Sequence, residues 1–264
     1  KTKIISIVNQ KGGVGKTTTT VNLGTALASI DKKVLLIDLD PQGNLSTGLG
    51  VKENYRGSGV YGLIATKLTV DKVIVSSKIP NLNLIASNVN LSGIEFELAN
   101  DEDKTKKLIN KIEKLYGYYD FIIIDCPPSL GILTVNSLVA SDSVLVPLQC
   151  EFYALEGLAQ LLKTVEKIKD NLNNKLHLEG IVLTMYDSRN RLCDDVVEDA
   201  KEHLGDKVYE TIIPRNVRLS EAPSHGLPAI IYDGSCAGSA GGFRVAEEWV
   251  QRADVPVGRG LAGR

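Results

Sequence analysis

The chain has little that would staple it, carry it through a bilayer or attract a polyanion. Its four cysteines, Cys126, Cys150, Cys193 and Cys236, stand far apart in 264 residues and form no C-x-x-C pair. That excludes a disulfide framework and a zinc ribbon, and it fits a reducing compartment. No apolar run reaches the ~20 residues a membrane-spanning helix needs, and no charged-then-apolar leader opens the sequence. The formal net charge is −2, so no overall basic field points to nucleic acid or to an acidic membrane. Any contact with nucleic acid has to come from a local patch. Internal repeats, a Pro/Ser linker and low-complexity tracts are missing as well. The expectation is a soluble, cytoplasmic protein whose length suits one α/β domain with a substantial core.

What is present is organised around Lys11-Gly12-Gly13-Val14-Gly15-Lys16-Thr17, directly behind the apolar run Ile4-Ile5-Ser6-Ile7-Val8. The run reads as a buried strand and the glycines as a tight loop. Thr18 to Ile30, with Val21, Leu23, Leu27 and Ile30, reads as a helix packed on a sheet. Strand, glycine loop and helix is the context of a phosphate-binding loop. Glycines let backbone N–H groups turn inward around a phosphate, and the helix N-terminus adds the positive end of its dipole. Lys16 is placed to reach the β- and γ-phosphates and the Thr17 hydroxyl to ligate Mg²⁺, with Gly12 to Thr18 as the cradle. The usual G-x-x-x-x-G-K-[ST] pattern fails at its first glycine, where Gln10 stands, and a second lysine, Lys11, follows.

Further apolar runs, Val34 to Ile37, Leu82 to Ala86, Phe121 to Ile124, Ser143 to Leu148, Leu178 to Thr184 and Val208 to Ile213, read as strands. Helical faces lie between them, marked by Thr105, Leu108, Ile112 and Leu115, by Leu155 to Ile168, and by Val197, Ala200 and Leu204. Continuous apolar strands separated by helices predict a mostly parallel, twisted sheet of about 7–8 strands with helices on both faces. Asn44 to Asn81 carries the weakest pattern. Residues 1–252 are expected to form one P-loop ATPase domain. From Ala253 to Arg264, Pro256 and three glycines break any helix, and a poorly ordered tail is expected.

Asp125 follows four apolar strand residues, the position of a Walker B aspartate that holds Mg²⁺ directly or through water. Asp38 and Asp40 close another strand, where α/β sheets gather ligands. One of the two can serve the metal shell and the other the attacking water, and a structural hydrogen bond is equally open to Asp38. No Asn/Thr-Lys-x-Asp tetrapeptide ends a strand, so ATP is favoured over GTP. Met185, beside Thr184, and Pro214 and Asn216, flanking Arg215, are candidate walls for the adenine. Arg189, Arg191, Arg215 and Arg218 fall in two loops after neighbouring strands and are candidate DNA contacts. Lys104, Lys107, Lys111 and Lys114 on one predicted helix are a weaker set.

The lysine before two glycines resembles the deviant Walker A motif of the ParA/MinD ATPases. Lys11 to Thr19, Asp38 to Gly43, Phe121 to Ser129, Glu151 to Gly157 and Ile213 to Gly226 together resemble the ParA/Soj partitioning subgroup, across about residues 3–240. The resemblance implies an ATP- and Mg²⁺-dependent switch. Lys11 would reach the nucleotide of a second subunit in a face-to-face homodimer, and Asp40 would serve hydrolysis. The dimer would bind double-stranded DNA without sequence preference, at the nucleoid, until a ParB-type centromere-binding partner triggers hydrolysis. Two departures stand out: Gly241 to Glu248 fits the family's last helix poorly, and no helix-turn-helix is expected before the first strand. A MinD-like membrane switch would want a basic amphipathic C-terminal helix, which the glycine-rich tail does not supply. A P-loop small-molecule kinase remains the other alternative, and an iron protein lacks suitably paired cysteines.

Overall fold

The computed structural model describes residues 2–253. Seven strands form one sheet in the order β3-β4-β2-β5-β1-β6-β7. They are β1 (Lys3–Ile7), β2 (Val34–Asp38), β3 (Ile74–Ser76), β4 (Leu82–Ile85), β5 (Phe121–Asp125), β6 (Ser143–Gln149) and β7 (His177–Thr184). All neighbours pair parallel except β3, which runs antiparallel to β4 at one edge. β2 and β5 are buried throughout, and β6 up to Leu148, because both faces of the sheet are covered.

The helices follow in chain order: α1 (Lys16–Ser29), α2 (Asn44–Gly48), α3 (Gly59–Ala65), α4 (Ile94–Glu97), α5 (Ile109–Ile112), α6 (Ile132–Ala140), α7 (Ala154–Asn171), α8 (Arg191–Leu204), α9 (Val217–Glu221), α10 (Ala229–Tyr232) and α11 (Ala237–Arg252). One core packs α3 to α8 against the sheet through residues such as Leu63, Leu138, Leu161 and Ala200. The other packs α1, α2, α10 and α11 on the opposite face through Leu27, Leu45, Ile230 and Trp249. Trp249 is fully buried and meets Phe121 of β5 edge-on, with ring centroids 4.9 Å apart. The last helix therefore forms despite Gly241 and Gly242. The absence of a Cβ at Gly242 brings it close to Asn22 of α1. Ala253 closes α11 with its N–H on the Trp249 carbonyl. The rest of the expected tail, residues 254–264, lies outside the described residues.

Two expectations are corrected. Val208–Ile213 is not an eighth strand. Tyr209 and Ile213 do donate to β7, at the Ile181 and Leu183 carbonyls (2.8 and 2.9 Å). Between them, the N–H groups of Glu210 and Thr211 turn to the Glu248 carboxylate on α11, at 2.8 and 2.9 Å. A strand whose amides are claimed from outside cannot complete a ladder. The helix expected from Thr105 shrinks to Ile109–Ile112 and a following 3₁₀ turn. Asn136 of α6 accepts the Leu108 N–H at 3.1 Å and donates to the Lys104 carbonyl at 2.7 Å. It thus sits between the two groups whose i→i+4 bond would have begun that helix. With the helix goes the lysine stripe. Lys107 pairs with Asp101 at 2.5 Å, and Lys111 donates to the Thr66 and Leu68 carbonyls.

Candidate nucleotide site

Parallel register converges the chemistry. Ile7 at the end of β1 and Asp38 at the end of β2 both pair with Asp125 at the end of β5. The loop leaving β1 therefore rises over two buried carboxylates. Gly13 (φ 74°) and Gly15 (φ 93°) take left-handed conformations that a side chain would strain. They turn the loop into α1, whose first residue is Lys16. Val14 is buried, and its carbonyl accepts the Thr184 hydroxyl at 2.8 Å, fixing the loop to β7.

A cavity of about 550 Å³ opens above the loop. Gly12, Gly13, Gly15, Lys16, Thr17 and Thr18 line its base, and Asp40, Gln42, Asn44 and Thr47 one wall. Thr184, Met185, Pro214, Arg215 and Asn216 form the facing wall, with Leu219, Ser220 and Pro223 above. The expected adenine walls are thus in the cavity. Met185 is held at φ 53°, a left-handed backbone rare for its type, where β7 turns into the next loop. Arg215, expected as a DNA contact, lies on the cavity wall. Sequence reasoning misses Asn44, Thr47, Leu219, Ser220 and Pro223 as lining. A glycine-free turn carries no spacing signal for a pocket, and α2 lies in the stretch with the weakest hydrophobic pattern.

At the floor, Thr17 Oγ1 donates to Asp125 Oδ2 at 2.7 Å, and Thr20 Oγ1 reaches Oδ1 at 3.3 Å. Burial pushes the Asp125 carboxyl up to about 8, with the nearby Asp38 charge adding to it and the Thr17 bond and Lys16 opposing. Burial likewise raises Asp38 to about 6 against two hydrogen bonds from Ser46. Burial pulls the Lys16 ammonium below its ordinary value, against the charges of Asp125 and Asp40. Lys16 Nζ donates to the Lys11 carbonyl at 2.7 Å. A hydroxyl beside a buried acid whose charge lacks a full counter-ion suits a divalent cation, which would favour the ionised form. Among the described residues no three His, Cys, Asp or Glu side chains form a metal cluster. A Mg²⁺ here would complete its shell with phosphate oxygens and water, as Mg²⁺ ordinarily does.

Asp38 plays a structural part, because its Oδ2 accepts the Ser46 N–H and hydroxyl at 2.8 and 2.7 Å. Lys11 is absent from the cavity lining and pairs with Glu151 at the start of the α7 turn. Arg189 grips Asp187, and Arg191 opens α8. Arg218 pairs with Glu221 and Asp233.

A family model described as an AAA domain matches residues 2–178. The chain is 49% identical over 252 residues to the chromosome partitioning protein ParA of Caulobacter vibrioides, covering 95% of this chain and 94% of that protein. It is 51% identical over 246 residues to the sporulation initiation inhibitor protein Soj of Bacillus subtilis, covering 93% and 97%. A solved structure of cobyrinic acid a,c-diamide synthase from Mycobacterium smegmatis, with bound ATP analog and magnesium, superposes with a TM-score of 0.86. Identity to that protein is 33%, with 97% of this chain and 96% of that one covered. With its glycine loop, its paired strand-end aspartates and these near-full-length matches, the chain belongs to the ParA/Soj family of chromosome-partitioning ATPases.

Proposed function

We propose that this chain is an ATP-driven partitioning switch. ATP with Mg²⁺ binds in the cavity over the phosphate loop and joins two subunits face to face. The dimer holds double-stranded DNA without sequence preference, and a ParB-type partner speeds hydrolysis and release. The observation that carries the reading is the division of labour between two lysines of one loop. Lys16 is buried at the cavity base, whereas Lys11 stands outside the cavity, its side chain held by an exposed ion pair. A loop needs one lysine for its own phosphates; the second can serve another subunit's.

In hydrolysis, Lys16 and the loop N–H groups hold the β- and γ-phosphates, and Asp40 orients the attacking water. Thr17 and Asp125 would hold Mg²⁺, which would supply charge stabilisation to the phosphates. Asp38 stays buried, holding α2. The deciding experiment measures binding to a non-specific DNA duplex with ADP, ATP and a non-hydrolysable analogue. Retention only with ATP or the analogue is expected. An ATP-bound dimer with no affinity for DNA at low salt would overturn the partitioning reading.

A further inference from the structure

Arg56 lies 40 residues beyond Lys16 in the chain, and it does not line the nucleotide cavity. Its guanidinium nevertheless ties the end of α2 to the segment after β4, beside the wall that carries Asp40. Nε donates to the Val51 carbonyl at 3.2 Å, Nη1 to the Ser87 carbonyl at 3.5 Å, and Nη2 to Thr47 Oγ1 at 2.8 Å. All three acceptors are neutral oxygens. A planar fork of donors can span such a set, where a single ammonium cannot.

Thr47 hands the contact onward. Its hydroxyl donates to the Gly43 carbonyl at 3.1 Å, and the Gly43 N–H donates to the Asp40 carbonyl at 2.9 Å. The Asp40 carboxylate in turn accepts the Gln42 N–H at 2.9 Å. Gly43 sits at φ 66°, and a Cβ there would collide with Arg56 Nη1. The guanidinium therefore packs directly against the Gly43 backbone, three residues on from Asp40.

The inner side of the same segment is held separately. Asp38 grips Ser46, and the Ser46 hydroxyl accepts the Ser87 N–H at 3.1 Å. Ser87 thus joins both clamps, through its N–H on the buried side and its carbonyl on the Arg56 side. The loop from Asp40 through α2 is pinned between a buried carboxylate and a half-buried guanidinium.

We propose that Arg56 is a positioning residue for ATP hydrolysis, holding Asp40 to Thr47 so that the Asp40 carboxylate stays aimed into the nucleotide cavity. The inference rests on the reading of Asp40 as the residue that orients water. Arg56 touches neither nucleotide nor water itself, so its loss acts on the rate of the chemical step and not on the phosphate grip.

The test compares wild type, Arg56→Ala, Arg56→Lys and Asp40→Ala with Mg²⁺-ATP, measuring single-turnover hydrolysis, ATP affinity by calorimetry, and melting. Misplacement of a catalytic group by about 1 Å lowers rates by ~100-fold, so Arg56→Ala is expected to hydrolyse about 10- to 100-fold more slowly. Its ATP Kd should stay within about twofold of wild type, the mark of an interaction needed only in the transition state. Arg56→Lys should recover only part of the rate, since it keeps the charge and loses the fork. Wild-type hydrolysis by Arg56→Ala, with Asp40→Ala inactive, would overturn the role of Arg56. Wild-type hydrolysis by Asp40→Ala would overturn the reading beneath it. Equal losses of ATP affinity and rate would reduce Arg56 to a structural contact. If Arg56→Ala does not fold, Thr47→Val severs the same chain of bonds at its middle. An unchanged rate in that variant would count equally against the proposal.

Discussion

Lys11 and Glu151 form an ion pair that bridges the phosphate loop to the turn before α7, with the lysine side chain 52% exposed. Beside it, Gln10 Nε2 donates to the Gly157 carbonyl at 2.8 Å, so the loop is tied both to that turn and to the first turn of α7. An exposed pair of this kind contributes only about 0–1 kcal/mol, a hold that a second subunit's nucleotide can outcompete. Lys11→Gln is expected to bind ATP and remain monomeric in light scattering. Glu151→Gln frees the lysine and should lower the ATP concentration for half-dimerisation, by up to about fivefold on that energy. An intact ATP dimer of Lys11→Gln would count decisively against the cross-subunit contact.

Lys16 has a different assignment, since it is buried at the cavity base with its amine on the loop's own Lys11 carbonyl. Charge-assisted hydrogen bonds are worth about 1.5–3 kcal/mol each, and a phosphate-gripping lysine makes more than one. Lys16→Ala should therefore weaken ATP binding by roughly 100-fold or more in calorimetry. Wild-type affinity in that variant would remove the nucleotide from this loop.

The loop, its strand and Asp125 were legible because a continuous apolar run, glycines and a strand-end carboxylate each leave a local signature. The failures have physical causes that act across long sequence distances. Val208–Ile213 has strand composition, yet its Glu210 and Thr211 amides belong to Glu248, about 40 residues on. Thr105 to Leu115 has helical spacing, yet Asn136 occupies the bond that would start the helix. β3 is three residues long, too short to show a period. Arg56 was illegible as a site residue because its acceptors are two carbonyls and a hydroxyl, one of the carbonyls 31 residues away at Ser87. No pattern of side-chain types announces such a contact. Resemblance to a family pointed to Lys11, whose neighbourhood alone offered only an extra lysine.

Glu248 provides a test of the C-terminal helix. Burial works to raise its pKa, but the Thr211 and Glu210 N–H groups and Arg252 outweigh that and hold it below the ordinary value. Arg252 Nη2 lies 2.7 Å from the carboxylate. For an acid with a depressed folded pKa, the native state binds fewer protons than the unfolded chain. The stabilisation is therefore complete above the unfolded value, near about 4.3, and is lost as pH falls through the folded one. Glu248→Gln should cost about 1–3 kcal/mol at neutral pH. Its stability gap from wild type should narrow below about pH 4 in urea unfolding. A gap that stayed constant with pH would mean that shape, and not charge, is what Glu248 contributes.

The arginines expected to meet DNA are not equivalent in the folded chain. The Arg215 N–H donates to the Tyr186 carbonyl at 2.9 Å, which lays its loop against the turn carrying Asp187 and Arg189. The Asp187 carboxyl is held down to about 2, chiefly by its hydrogen bonds from Arg189, with the Arg215 charge adding to them. Arg189 pairs with that carboxylate directly, and the Arg215 charge nearby leaves the two loops with a surplus of positive charge. Arg189 is also 86% exposed on its side chain. Arg218, by contrast, has Glu221 at 2.9 Å and Asp233 at 3.5 Å, two carboxylates for one charge. With a net charge of −2, a single subunit has no general attraction to DNA. Two subunits joined by ATP would double the phosphate contacts, and each contact adds about 0.9 to the salt slope on B-DNA. Arg189→Ala is therefore expected to lower the slope by about 1.8 in a symmetric dimer, one contact from each subunit. Arg218→Ala should move it less, because its charge is already answered within the chain. Fluorescence anisotropy of a labelled duplex, titrated with the ATP-bound protein at several salt concentrations, reads both slopes. ATP affinity and dimer mass should be unaltered in both variants. An Arg189→Ala dimer with the wild-type slope would place the DNA surface elsewhere on the molecule.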